Sequence, residues 1–305
     1  MIEILGKTNI NFVGWRAYAF VGSGLLMLVG LIALVQIARG HANLGIDFAG
    51  GTSVQLKLTQ ALGLEEVRAA LARHDLADAE LQEFPAEQKL LIRMKRQTTL
   101  EEKVAERLVA VFKQEFPAVG FVVDSSTEIG PVVGRKLQAD ALKAVAISLV
   151  AIIVYIALRF EFRFGLAAAI ATIHDVLAVL GIVYLLDKEV TLLIVTALLT
   201  LAGYSLTDTV VVFDRIRENL QARPRERLAV IINDGINQVL SRTLVVSLTV
   251  IIVLVALFTA GGEVIHDFSL TLLLGVVVGT YSSIFVASPL LLVWGVTPGR
   301  RRAPR

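Results

Sequence analysis

The chain has 305 residues, of which 55% are hydrophobic and only 18% charged, and its mean hydropathy is +0.72. Chains this apolar are not ordinary soluble domains, so the composition points to a polytopic membrane protein. The formal charge of +2 says little by itself, and the absence of cysteine excludes disulfides and thiolate metal sites.

Six apolar runs are near the roughly 20 residues that a bilayer requires: 17–37, 139–158, 165–186, 190–213, 243–260 and 268–294. The first follows Lys7 and Arg16 and lacks a small-residue cleavage site, so it reads as an uncleaved anchor. The last is long enough to tilt, or to break near Pro289. The chain therefore divides into 1–38, the N-terminus and first span; 39–138, a soluble insert; 139–294, a five-helix region; and 295–305, a basic tail. Arg159 and Arg163 fall in one short loop, Arg215, Arg217, Arg223, Arg225 and Arg227 in another, and Arg300, Arg301, Arg302 and Arg305 in the tail. The positive-inside rule places these, with both termini, in the cytoplasm and the insert outside.

Directly after the first span comes Gly45–Gly51, with the order GIDFAGG. Gly45 and the pair Gly50–Gly51 allow backbone conformations closed to other residues, as expected of a hinge or turn between helix and strand. No Lys-Ser/Thr follows, so it is not a phosphate loop. The insert then alternates as strands over Thr52–Leu58, Ala79–Phe84, Lys89–Met94 and Phe121–Ser126. The apolar spacing of Leu64–His74 and Thr99–Phe116 predicts helices, the second with Thr98 or Thr99 as its N-cap. The order βαββαβ predicts a ferredoxin-like α+β domain.

Charged residues inside the spans are the candidates for function. In the third span His174 and Asp175 stand among alanines and valines. Adjacent helical residues point about 100° apart, so one is expected to line a polar interior and the other to bond neighbouring backbone. Metal binding is not expected, because no ligand follows at a suitable spacing. In the fourth span Thr196, Thr200, Tyr204 and Asp208 recur every four residues on one face. An ionised Asp costs about 2.5–3.5 kcal/mol at the centre of a membrane helix, and less toward its ends.

The fifth segment carries Asp234, Gln238 and Arg242 at the same spacing, with Arg242 toward the same membrane face as Asp208. An Asp208–Arg242 ion pair is expected: burial raises the acid's pKa and a guanidinium lowers it again. Such a pair serves either as a proton relay or as a static bridge between two helices. In the sixth span Gly275, Gly279, Ser283 and Ala287 recur every four residues and contain a GxxxG. Small residues at that spacing let helix backbones approach closely, against their own bundle or another chain. There is no nucleophile or metal constellation for an intramembrane hydrolase, and neither enzymatic activity nor a cofactor is expected.

Taken together, Gly45–Gly51, Glu128–Pro131, His174–Val176, Gly203–Ser205, Asp208–Asn219 (DTVVVFDRIREN), Asn237–Gln238, Leu240–Thr243 and Gly279–Phe285 resemble the SecD/SecF family of bacterial protein-export membrane proteins, on its SecF side. The resemblance covers nearly the whole chain. It implies membership of the resistance-nodulation-division superfamily, in which six-span halves pair about a pseudo-two-fold axis, SecD supplying the other half. It also implies location in the bacterial inner membrane and use of the proton motive force to help draw unfolded preproteins out of the SecYEG translocon after the SecA motor has pushed. Lipid is the surrounding partner, and no nucleic acid is expected. The family's membrane acid matches Asp208 and its arginine matches Arg242. His174, Asp175, Tyr204 and Gln238 are the further coupling candidates. Leu206–Thr207 departs from the Ile-Asn expected before the acid, removing one amide near the site. The alternatives are a non-conducting factor that stabilises the translocon, and half of a small-molecule exporter, for which the insert is too small.

Overall fold

The computed structural model describes residues 8–95 and 104–296, which form two compact units. The N-cap candidates Thr98 and Thr99 and most of the basic tail lie outside the described residues.

One unit comprises residues 43–143 together with 189–192. It contains a short helix α2 (Ile46–Ala49), strand β1 (Gly51–Leu58), helix α3 (Leu64–Arg73), strands β2 (Glu80–Phe84) and β3 (Lys89–Lys95), helix α4 (Val104–Glu115), strand β4 (Phe121–Ile129) and the start of α5 (Pro131–Arg159). The strands pair antiparallel in the order β2-β3-β1-β4. A βαββαβ chain reaches that order when both helices cover the same sheet face, which is the split-βαβ arrangement expected. Alternation decides the face: Val54, Leu56 and Leu58 of β1 and Leu90, Ile92 and Met94 of β3 pack with Val67 and Leu71 of α3 and Leu108, Val111 and Phe112 of α4. Each such side chain contributes about 1.5–3 kcal/mol on burial.

Gly50 and Gly51 make the entry to this sheet. Both have positive φ, 76° and 152°, and a Cβ on Gly51 would stand 2.2 Å from the Met94 carbonyl oxygen of the neighbouring strand. Gly45 meets residues 190–191: a Cβ there would lie 2.7 Å from Thr191 Cγ2. Leu44 and Val190 form a parallel bridge.

The other unit comprises residues 1–42, 144–188 and 193–305. It is built from α1 (Arg16–Ala38), α5, α6 (Phe162–Leu185), α7 (Leu192–Ala222), α8 (Leu228–Ala260) and α9 (Glu263–Ser282), the last continued by a π turn (Ser283–Ala287) and α10 (Ser288–Val293). Among the described residues, six helical segments are long and apolar enough to cross a membrane. α6 is the most enclosed, with Ala167, Ala168, Ala171 and Ala178 fully buried. α1 lies directly on it, and a Cβ on Gly30 would stand 2.1 Å from the Leu177 carbonyl oxygen. One end of the bundle is filled by Phe160, Phe164 and Phe213, with ring centroids 5.4–6.4 Å apart.

Four helices depart from the expected limits, α5 by beginning at Pro131, ahead of its apolar run. α7 and α8 continue past the apolar runs, to Ala222 and from Leu228; the α7 extension is rich in Arg, Glu, Gln, Leu and Ala, good helix formers whatever their polarity. Arg223, the residue after α7, donates from Nη1 to Asp234 Oδ2 of α8 at 2.6 Å and ties the end of one extension to the other. In the last span the irregularity precedes Pro289: proline has no N–H for the preceding turn, and the helix widens to a π turn there.

Candidate functional site

The polar centre of the bundle is carried by α6, α7 and the α9–π-turn junction. Asp175 is 0% exposed and takes hydrogen bonds from three sides. His174 Nδ1 bonds Asp175 Oδ1 at 2.8 Å, Ser282 Oγ donates to Asp175 Oδ2 at 2.7 Å, and Ser205 Oγ donates to the same oxygen. His174 is also wholly buried, and its Nε2 has no hydrogen-bond partner among the described residues. The expectation that one member of the His174–Asp175 pair would bond backbone is corrected. Their Cβ directions diverge, but the imidazole is long enough to fold back onto the neighbouring carboxylate.

One turn along α7 from Ser205, the half-buried Asp208 accepts a hydrogen bond from Ser283 Oγ at 2.7 Å. The adjacent hydroxyls of Ser282 and Ser283 thus serve two acids on two different helices. The Thr243 hydroxyl of α8 lies beside Asp208, is buried, and has no partner within hydrogen-bond geometry among the described residues.

The expected Asp208–Arg242 ion pair is not formed. Arg242 is exposed on α8, and among the described residues it makes no ion pair or hydrogen bond. The cause is helical register: Ile236, Leu240, Thr243 and Ser247 are the buried side of α8. Arg242, one residue from Thr243, is turned about 100° away. Gln238 does not reach Asp208 either: its Oε1 accepts from Arg215 Nε at 2.6 Å and Asn219 Nδ2 at 2.9 Å. Tyr204 starts a second polar contact, its hydroxyl donating to Ser247 Oγ at 3.4 Å, and Ser247 bonds Thr280 Oγ1 at 2.7 Å. A groove of about 420 Å³ between α8 and α9, lined by Leu244, Ser247, Leu248, Val277 and Thr280, opens beside that contact.

The small-residue stripe explains how two acids come so close to these hydroxyls. A Cβ on Gly275 would lie 2.7 Å from Leu201 Cδ1, and one on Gly279 would lie 3.1 Å from Ser205 Cβ. Gly275, Gly279 and Ser283 therefore run along Leu201, Ser205 and Asp208 of α7, so the stripe meets its own bundle. Sequence reading missed Ser205, Ser282 and Thr243 as partners, and missed the Gly30–Gly181 contact between α1 and α6. The available signal was hydroxyls at three- and four-residue spacing beside the acids and the GxxxG.

Fold and site define a multi-pass helical membrane protein whose polar core sits within its spans, with an α+β unit inserted after the first helix. Comparison with known proteins narrows that class. Residues 111–297 match the family described as "Protein export membrane protein SecD/SecF, C-terminal", and residues 42–61 match the "SecD/SecF GG Motif". The protein translocase subunit SecF of Thermodesulfovibrio yellowstonii is 50% identical over 297 residues, covering 97% of this chain and 98% of that protein. The SecF subunit of Magnetococcus marinus is 44% identical, covering 99% of this chain and 96% of that one. The crystal structure of SecDF, a translocon-associated membrane protein from Thermus thermophilus, superposes with a TM-score of 0.83 at 34% identity. That match covers 94% of this chain and 39% of the SecDF chain, so the present chain spans well under half of it. The chain belongs to the SecD/SecF family of protein-export membrane proteins, on its SecF side.

Proposed function

We propose that the chain is the subunit of the Sec export machinery that couples the proton motive force to the late stage of preprotein translocation, and that it does so together with SecD. In this reading both termini are cytoplasmic, residues 39–138 work outside the bacterial inner membrane, and the SecYEG translocon and SecA act upstream on the same unfolded preprotein. The observation that carries the reading is Asp208, an acid within a membrane span that is held by the Ser283 hydroxyl and has no cation partner among the described residues. The matching cation, Arg242, stands exposed on the adjacent helix.

An acid without a cation in a low-dielectric setting favours its protonated form, and an approaching guanidinium favours release. Movement of Arg242 toward Asp208 in the assembled complex therefore provides an alternation of proton uptake and release. His174, Asp175 and Tyr204 extend the polar path; Gln238 acts through the α7–α8 connection. One charge crossing the membrane field yields about 2.3 kcal/mol per 100 mV, enough to bias a two-state movement more than tenfold.

The test is late-stage translocation into vesicles, with and without a proton gradient, at matched amounts of intact complex. Asp208→Asn keeps size and hydrogen bonding but cannot cycle a proton, so gradient stimulation is expected to disappear while assembly persists. Arg242→Met is expected to block coupling as well. Full gradient stimulation in the Asp208→Asn complex would overturn the reading in favour of a purely structural role in the translocon.

A further inference from the structure

We propose that Glu80 and Glu189 form a proton-binding site that clasps the segment joining α6 to α7 onto the sheet of the α+β unit. Residues 189–192 belong to that unit, and backbone amides and carbonyls help to hold them there. Val190 N donates to the Asn43 carbonyl at 2.7 Å, Gly45 N donates to the Val190 carbonyl at 3.0 Å, and Leu192 N donates to Asp47 Oδ2 at 2.9 Å. α7, the helix that carries Asp208, starts at Leu192.

The carboxylate of Glu189 reaches onto the β2–β3 ribbon and is 7% exposed. Arg93 Nη1 donates to its Oε2 at 2.9 Å. Glu80 stands opposite Arg93 in the strand register, and Lys95 Nζ donates to Glu80 Oε1 at 3.0 Å and also to Asn43 Oδ1. Each base thus satisfies one oxygen of one acid. The second oxygen of Glu189, Oε1, is buried and has no donor among the described residues. Because Arg93 holds Glu189 and stands opposite Glu80 in the strand register, the two carboxyls are neighbours, and Glu80 is itself only an acceptor when ionised.

Two carboxylates cannot bond each other unless one carries a proton. A single shared proton supplies the donor that the geometry lacks and removes the repulsion of two like charges. Burial pushes Glu189 up to about 8, with Glu80 beside it adding to the rise, while the bond from Glu189 and the neighbouring Lys95 hold Glu80 below its ordinary value. One proton therefore stays on the pair across neutral pH. When the segment lifts off, Glu189 returns to water and to its ordinary value near 4.5, so each opening releases that proton. By linkage the closed state is favoured at low pH. Its advantage falls as pH rises from about 4.5 to about 8 and is constant above that.

Amide hydrogen exchange on the full-length chain in lipid nanodiscs tests this without any export assay. After correction for intrinsic rates, protection at Gly45, Val190 and Leu192 is expected to fall by up to about tenfold per pH unit between pH ~5.5 and ~7.5, the signature of one proton released per opening. Glu189→Gln places a permanent donor against Glu80, and its protection should be flat over the same range. Glu80→Gln donates from the other side and should likewise be flat while staying protected. A flat wild-type profile, an unchanged slope in Glu189→Gln, or loss of protection at every pH in both variants would each overturn the proposal.

Discussion

Replacing Asp175 by leucine removes the acceptor at the centre of the bundle, and the structure fixes what that should cost. Three donors lose their target: His174 Nδ1, Ser205 Oγ and Ser282 Oγ. Ser282 has a second acceptor, the Gly279 carbonyl at 3.1 Å, so two groups are stranded. Hydrogen bonds within membrane bundles average about 0.6 and reach about 1.7 kcal/mol, which gives a loss of about 1–3 kcal/mol. Asparagine keeps one oxygen for His174, and its amide donates to serine hydroxyls free to rotate, so Asp175→Asn should cost less than about 1 kcal/mol. Reversible unfolding of the chain in bicelles by added SDS, followed by the fluorescence of its two tryptophans, reads the difference. Equal stability of the leucine and asparagine variants would refute the view that this acid organises the helix contacts.

Two further outcomes follow from the α+β unit. Gly51→Ala meets both a positive φ and the Met94 carbonyl. It should destabilise that unit by more than about 1 kcal/mol, seen as a lowered first transition in thermal unfolding of the full chain, whereas a change within ~0.3 kcal/mol would contradict the strand geometry. Arg73, and then His74, hold Glu115 below its ordinary value of 4.5. The bridge between α3 and α4 therefore contributes above that value and is lost as pH falls below it. Arg73→Met should move the Glu115 titration upward in carbon-detected NMR, and an unchanged titration would show that the bridge is not populated.

Which parts were legible in the sequence follows from which forces are local. Alternation in β1 and β3 and the 3.6-residue pattern of α3 carry their own burial, so the ferredoxin-like topology could be read directly. The apolar runs likewise marked six spans, because length and hydropathy are properties of each segment alone. Helix ends were less visible: residues 214–222 form helix without being apolar, and a hydropathy pattern reports where lipid is, not where a helix stops. Asp208, Asp175 and His174 stood out because charge within a span is costly. Their partners did not, because serines and threonines are ordinary in membrane helices and only the packing of α9 on α7 selects Ser282 and Ser283. The Asp208–Arg242 pairing failed at that same step. Four-residue spacing in α7 and in α8 fixes a face on each helix but not the rotation of one helix against the other. The docking of 189–192 on the sheet depends on a chain reversal that no local pattern announces.

The close approach of α1 to α6 at Gly30 and Gly181 has a consequence for biosynthesis. Those two residues are separated by 151 positions in the sequence. At about 5–20 residues per second, the ribosome needs roughly 8–30 s to make the second after the first. Throughout that interval the first helix has no mate for its glycine face, while the whole α+β unit and α5 are being made. The first helix thus waits for its partner until α6 has been made, and the α1–α6 pair can close before α7, α8 and α9 exist.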